Sequence, residues 1–271
     1  MPSYVITGAS RGIGYEFLSQ LSNDRDNTVI GLVRNKATTE EKLAKESKAR
    51  PNVHILQADI TDYNTLKQAA EDTANITGGS LDYLIANAGA ASKYDFFDGF
   101  GVLGEQPKEL EAALHYCFNL NVVGNIHFFN LFMPLILKGQ AKKVIAISSA
   151  MADNDLTAKF DIDWSAAYAI SKAALNTAVA KFSAEYAKHG VLVMGICPGM
   201  VDTGYYDNLT EEQMKKVPGQ IEKFKRYAPH FTGPSTTESA VKDVMSVIRK
   251  SSVENGDGGA FLSHLGTKRW L

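Results

Sequence analysis

Apolar and polar positions along the chain fall into two alternating rhythms. Short β-branched or aliphatic runs at 4–7, 28–33, 53–57, 81–86, 143–148, 191–196 and 259–262 have the length and composition of buried strands. Between them lie longer stretches of helical spacing. The clearest is 167–189, where Ile170, Ala174, Ala178, Phe182 and Tyr186 recur every four residues and Gly190 follows as a predicted C-cap. Strands that alternate with helices in this way build a parallel sheet covered on both faces, and ligands gather at the carboxyl ends of its strands. The pattern therefore predicts an α/β fold with one doubly wound parallel sheet of about seven strands.

Two segments break the rhythm. Residues 90–107, rich in Gly, Phe and Asp, read as a long loop. Residues 200–234 carry a charged helical stretch at 211–225, flanked by Tyr205, Tyr206, Tyr227 and Phe231. Long insertions of this kind act as lids or binding loops, or are plain surface excursions. No repeat, low-complexity tract or linker divides the chain, so it reads as a single domain over 1–271 with a substrate lid at about 200–234.

Composition narrows the partners. The chain has 271 residues, 45% of them hydrophobic, enough for one large core. A formal net charge of −2 leaves no basic surplus for nucleic acid. No stretch approaches the ~20 apolar residues of a membrane span. The chain opens on a predicted core strand, which leaves no room for a signal peptide. Cys117 and Cys197 are too few for a disulfide scaffold and read as buried thiols of a reducing, cytoplasmic setting.

Candidate chemistry begins directly after the first strand, at Thr7-Gly8-Ala9-Ser10-Arg11-Gly12-Ile13-Gly14. Gly8 would allow a tight turn, Gly12 a close approach of backbone to phosphate, and Gly14 packing of helix on strand. The helix N-terminus that follows offers unpaired N–H groups to a pyrophosphate. The loop lacks the Gly-Lys-Ser/Thr ending of a triphosphate P-loop. After the second strand, Arg34-Asn35-Lys36 stands where a carboxylate would bind the ribose of NAD. Arg11 and Arg34 suit the 2′-phosphate of NADP, since a guanidinium can donate two parallel hydrogen bonds to it; solvated surface charges are the plain alternative.

Tyr168 and Lys172, four residues apart, share one face of the 167–189 helix. An adjacent ammonium draws a tyrosine down from its usual pKa of ~10. The same spacing is common among ordinary surface neighbours. Context decides between the two readings. Ser148-Ser149 ends the fifth strand, Asn87-Ala88-Gly89 the fourth, and Cys197-Pro198-Gly199 followed by Val201-Asp202-Thr203 the sixth, all at the sheet edge where substrates bind.

Taken in order, these motifs resemble the short-chain dehydrogenase/reductase family in its compact, carbonyl reductase-like form. TGxxxGxG matches Thr7 to Gly14, NAG matches Asn87 to Gly89, a serine matches Ser149, YxxxK matches Tyr168 and Lys172, and PG-x-V-x-T matches Pro198 to Thr203. The resemblance implies a single-domain Rossmann fold that binds NADP(H), with roles for named residues. Tyr168 would protonate the substrate oxygen, Lys172 lower its pKa and hold the nicotinamide ribose, and Ser149, rather than Ser148, bond the substrate oxygen. Asn121 would position a water in the proton relay, where a packing asparagine is the alternative. The cofactor would lie on Gly8, Ser10, Arg11, Gly12, Ile13 and Gly14, on Arg34, and on Asp59 and Ile60 at the adenine. It would continue over Asn87, Ala88, Gly89, Tyr168 and Lys172 to Pro198, Gly199, Val201 and Thr203 at the carboxamide.

The chain departs from the family pattern in two places. Eighteen residues separate Ser149 from Tyr168, more than the family usually has. This insert, with Asp153, Asp155, Asp161, Asp163 and Trp164, is expected to bulge on the pocket rim as a solvated acidic loop, and no histidine joins it at metal-ligand spacing. Ala86 replaces the asparagine that often precedes NAG. The expected activity is NADPH-dependent reduction of a fairly apolar ketone or aldehyde. Phe96, Phe97, Trp164, Tyr205, Tyr206 and Phe231 would surround the pocket or pack the lid. A non-catalytic NADP-binding redox sensor is the other reading, against which the intact Asn121, Ser149, Tyr168 and Lys172 argue. No metal is expected, and a homo-oligomer, dimer or tetramer, is left open.

Overall fold

The computed structural model describes residues 1–46, 50–204, 207 and 209–271. Seven parallel strands form one sheet: β1 (Ser3–Thr7), β2 (Thr28–Val33), β3 (Val53–Gln57), β4 (Tyr83–Ala86), β5 (Lys143–Ile147), β6 (Leu192–Cys197) and β7 (Phe261–Ser263). Their order is β3-β2-β1-β4-β5-β6-β7. The chain winds outward from β1 to β3, returns to β4, and winds the other way, which opens a crevice beside the carboxyl ends of β1 and β4.

Side chains alternate between the two faces of each strand. Val5 enters one core with Leu84, Val144 and Val193; Tyr4, Ile6, Ile85, Ile145 and Met194 enter the other. Both faces are covered, which is why these strands read as continuous apolar runs. The first face is covered by α3 (Tyr63–Thr77), α6 (Gly124–Ile136) and α8 (Ala166–Tyr186), through Leu66, Phe128, Phe132, Leu175 and Val179. The second is covered by α1 (Gly12–Leu21) and α10 (Thr237–Lys250), through Phe17, Leu18, Val241 and Ile248. The remaining helices are α2 (Lys36–Ala44), α4 (Phe100–Leu103), α5 (Pro107–Phe118), α7 (Asn154–Phe160) and α9 (Glu211–Tyr227).

Three details differ from the sequence pattern. The buried stripe of α8 is Lys172, Leu175, Val179 and Ser183, not the expected set: Ile170 is 46% exposed. Leu175 and Val179 enter the core under the sheet, and Phe182 and Tyr186 of the expected stripe are half-buried against that same core. The predicted loop at 90–107 contains the short helix α4. The insert after Ser149 is no simple bulge, since Asp153 caps α7 through Oδ1, at 2.9 Å from the Asp155 N–H. Gly190 ends the α8 segment in left-handed conformation, at φ +73, as the C-cap position requires.

Candidate active site

Every motif singled out from the sequence reaches the carboxyl edge of the sheet. The turn after β1 is a cradle from which side chains are excluded. Gly8 takes φ +69, and a Cβ on Gly14 would stand 2.2 Å from the Gly8 carbonyl oxygen and 2.5 Å from Asn87 Nδ2. Arg11 is the N-cap of α1 but supplies no side-chain cap bond. The first N–H groups of that helix thus face the crevice without a side-chain cap, the arrangement that binds an anionic group. Thr7 joins this turn to the next one: its hydroxyl accepts from the N–H groups of Asn87, at 3.0 Å, and Ala88, at 2.9 Å. Thr7 stands in the sequence motif, yet its locking role depends on β4 lying beside β1.

Arg11 and Arg34 are both exposed on this side. A third cation joins them that spacing could not single out. The Lys42 ammonium lies 3.4 Å from the centroid of the Tyr15 ring and 3.4 Å from the Ser10 carbonyl oxygen. Tyr15 in turn donates to Glu46, which Arg50 pairs at 3.0 Å. Partial burial lowers the pKa of Lys42, and Glu46 opposes that. Burial works against ionisation of Asp59, but the N–H and hydroxyl of Thr61 and the charge of Arg34 hold its carboxyl below the ordinary range. Ile60 is buried beneath Gly124.

The cluster of Tyr168, Lys172 and Ser149 stands where α8 passes the ends of β4 and β5. Lys172 is 3% exposed; its ammonium donates to the Ile147 carbonyl oxygen at 2.8 Å and lies 5.7 Å from the centre of the Tyr168 ring. Burial lowers its pKa to about 8. Burial pushes the Tyr168 phenol up, and its hydrogen bond with Ser149 pulls it back down. Ser148 points elsewhere, its hydroxyl 2.7 Å from Asn176 Oδ1. Gly89 lies against the cluster: a Cβ there would be 3.0 Å from both Asn121 Oδ1 and Lys172 Nζ.

Asn121 sits in a π-helical turn, Asn119–Val123, between α5 and α6. Such turns insert one extra residue and re-aim the groups around it. Its side chain is fully engaged: Oδ1 accepts from the Ala90 N–H at 3.0 Å, and Nδ2 donates to the Ala90 carbonyl and Ser171 hydroxyl, both at 2.9 Å. Its main-chain carbonyl accepts from Asn125 Nδ2 at 2.8 Å. Asn125, one more asparagine in an apolar helix, carried no pattern that would have pointed to this contact.

On the other side of the crevice, Gly199 turns at φ +81 and Val201 bridges to Ser235. This brings the Thr203 methyl within 3.5 Å of where a Cβ on Gly12 would be, so the turn after β6 meets the glycine loop. Of the aromatic residues expected around the pocket, Trp164 and Phe231 pack against Phe224 of α9, and Phe96 packs against Phe97. Trp164 meets Phe224 edge-on at 5.7 Å, Phe224 meets Phe231 at 6.1 Å, and Phe96 contacts Phe97 at 4.9 Å. Tyr205 and Tyr206 lie outside the described residues. The acidic insert is not simply solvated, because Asp161 pairs with Arg226 at 3.2 Å and Asp163 with Lys223 at 2.7 Å, both on α9. Among the described residues no cluster could hold a metal ion, and no helix is long and apolar enough to cross a membrane.

Comparison with known proteins gives a consistent picture. The family profile described as short chain dehydrogenase matches residues 3–250. The short chain dehydrogenase virK of Hypocrea virens is 59% identical over 271 residues, covering all of both chains. The short-chain dehydrogenase/reductase iacC of Pestalotiopsis fici is 49% identical over 272 residues, again across both whole chains. Among solved structures, an NADPH-bound carbonyl reductase from chicken fatty liver superimposes with a TM-score of 0.77 over 98% of each chain at 24% identity, a likeness of fold.

Proposed function

The chain belongs to the short chain dehydrogenase family, and from that premise we propose that it reduces a fairly apolar ketone or aldehyde with NADPH, Tyr168 serving as the general acid. The observation that carries this reading is the contact of Tyr168 with Ser149 beside Lys172 and Gly89, at the open edge of the sheet. Burial makes the unliganded Tyr168 phenol a weaker acid than a free tyrosine, against the lowering expected from Lys172; Ser149 pre-aligns its proton, and the Lys172 ammonium would stabilise the phenolate as the proton leaves.

The cradle fits a dinucleotide, since Gly8 and Gly14 leave backbone where any side chain would block it. Arg11, Arg34 and Lys42 support NADP over NAD by charge, with no carboxylate at the end of β2 to bind ribose hydroxyls. Asp59 and Ile60 would border the adenine; Pro198, Gly199, Val201 and Thr203 would border the nicotinamide. Bound NADPH would supply a hydride to the carbonyl carbon. Ser149 would hold the carbonyl oxygen, and Tyr168 would give it the phenolic proton as the C=O π bond breaks, leaving an alcohol and a phenolate. Lys172, as an ammonium, would stabilise that phenolate and bond the ribose. Segment 200–234, with α9, would close over the substrate. Ala150 and Met151, which pack with Trp164 and Phe224 next to Ser149, would give it an apolar wall. The two buried, unpaired cysteines fit a reducing compartment, and the cytoplasm is the proposed location.

The test is an NADPH-oxidation screen over ketones, quinones and fused aromatic polyketones. Turnover should appear with at least one class and fall by about 10² to 10⁴-fold in Tyr168→Phe with NADPH affinity retained. NADPH binding without turnover on any compound would favour the sensor reading instead.

A further inference from the structure

Helix α8 carries Tyr168 in its first turn, yet the helix does not cap itself. Ser165, at the N-cap, adopts φ +55, and its side chain makes no cap bond. An N-cap residue normally lies in the extended region and bonds the N–H two or three residues on. Left-handed backbone is costly for a residue other than glycine. The missing acceptor comes from the loop after β4. Asp95 Oδ2 accepts the Ala167 N–H at 2.7 Å and the N–H of Tyr168 itself at 3.4 Å, while the Asp95 carbonyl accepts from the Ser165 N–H at 2.8 Å. Asp95 has no exposed surface, and among the described residues its other oxygen, Oδ1, has no hydrogen-bond partner.

The same loop is gripped from the opposite side by α9. Lys216 pairs with Asp98 at 2.5 Å. The Phe96 carbonyl accepts from Gln220 Nε2, at 3.4 Å, and from the Ser165 hydroxyl, at 3.3 Å. Gln220 is the buried polar residue of α9, at 5% exposure. A continuous set of polar contacts thus runs from Lys216 and Gln220 through residues 95–98 to Ser165, Ala167 and Tyr168.

We propose that Asp95 is a positioning residue for Tyr168, fixing the turn that aims its hydroxyl and tying that turn to the α9 segment. A carboxylate at a helix N-terminus also meets the positive end of the helix dipole, which helps to hold it there despite burial. Burial raises the pKa of Asp95, and the N–H groups of Ala167 and Tyr168 that it accepts from oppose that rise. The charged and titratable groups set against it are Cys117 on α5 and Tyr168 on α8. Asp95 itself takes no part in proton transfer. Misplacing a reacting group by about 1 Å can cost on the order of 10²-fold in rate, and that is the scale expected here.

This inference rests on the reading of Tyr168 as the acid, so the experiment carries Tyr168→Phe beside the Asp95 variants, with NADPH and a carbonyl substrate from the screen. Asp95→Ala should lower kcat by roughly 30 to 100-fold while NADPH affinity stays near that of the parent. Its solvent deuterium isotope effect on kcat should rise, because proton delivery from a displaced Tyr168 becomes limiting. Asp95→Asn keeps an acceptor oxygen and should restore most of kcat and the parental isotope effect. Should Asp95→Ala fail to fold, Gln220→Leu loosens the same loop from the α9 side and should lower kcat in the same selective way. Parental kcat and isotope effect in Asp95→Ala, or in Gln220→Leu where it stands in, would overturn the proposal. So would losses of kcat and NADPH affinity in parallel that Asp95→Asn does not restore. If Tyr168→Phe turns over like the parent, it is the acid assignment that fails, whatever the Asp95 variants do.

Discussion

Replacing Gly14 by alanine probes the cradle where it is tightest. The new Cβ would stand 2.2 Å from the Gly8 carbonyl oxygen and 2.5 Å from Asn87 Nδ2, whereas ordinary contact begins at 3.4 Å. One side of the turn must therefore retreat by about 1.2 Å, the difference between 3.4 and 2.2 Å. Neither neighbour is free to do so. Gly8 donates to the Leu32 carbonyl at 3.0 Å, and Asn87 Nδ2 donates to the Thr7 carbonyl at 3.0 Å. Overpacking on this scale costs about 1–3 kcal/mol, and one lost buried hydrogen bond adds about 1 kcal/mol. Gly14→Ala should thus lose about 2–4 kcal/mol, read calorimetrically as a fall in Tm of about 5–15 °C at roughly 2–4 °C for each kcal/mol. On the proposed function the shift also displaces the N–H groups at the start of α1, and NADPH fluorescence titration should show Kd raised by at least about tenfold. A variant with the parental Tm and the parental Kd would refute both the close approach and the use made of it.

Other expectations follow from the same geometry. Lys172 has a pKa near 8 in the folded protein against 10.5 as a free side chain, so its ammonium is present below about pH 8 and lost above it; kcat/KM for reduction should fall above pH 8, and a profile flat to pH 10 would contradict that. Because the unfolded chain then binds the extra proton, stability without cofactor should rise by about 1 kcal/mol from pH 8 to 9, and Lys172→Met should abolish that slope in urea titrations. Arg34→Asp should weaken NADPH and not NADH, and Lys42→Met should do so more mildly, each by about 5 to 50-fold; equal losses for both cofactors would remove the phosphate role. Gly219, inside α9, where an added Cβ would meet no atom within 4 Å among the described residues beyond its own helix backbone, should accept alanine with a gain of about 0.5–1 kcal/mol, measured by chemical denaturation.

The chain's apolar pattern by itself determined the strands and that they form a parallel sheet covered on both faces, because a strand buried on both faces must be apolar at every position. Glycine spacing identified the cradle for a related reason: only residues without a side chain permit that approach, so the requirement is written in residue type. That Ser149, Tyr168 and Lys172 come together was legible because Ser149 follows β5, Tyr168 opens α8 and Lys172 stands one turn further along it. The tertiary structure decided everything that depends on distant partners. Asp95 caps a helix 72 positions away, Lys42 crosses from α2 to Ser10, and Asn121 clamps Ala90 to Ser171. The buried stripe of α8 was likewise set by the sheet beneath it and by α5 beside it, not by periodicity alone. Hydrogen bonds and ion pairs act over about 3 Å between groups of any sequence separation, so their partners exist only once the chain has folded.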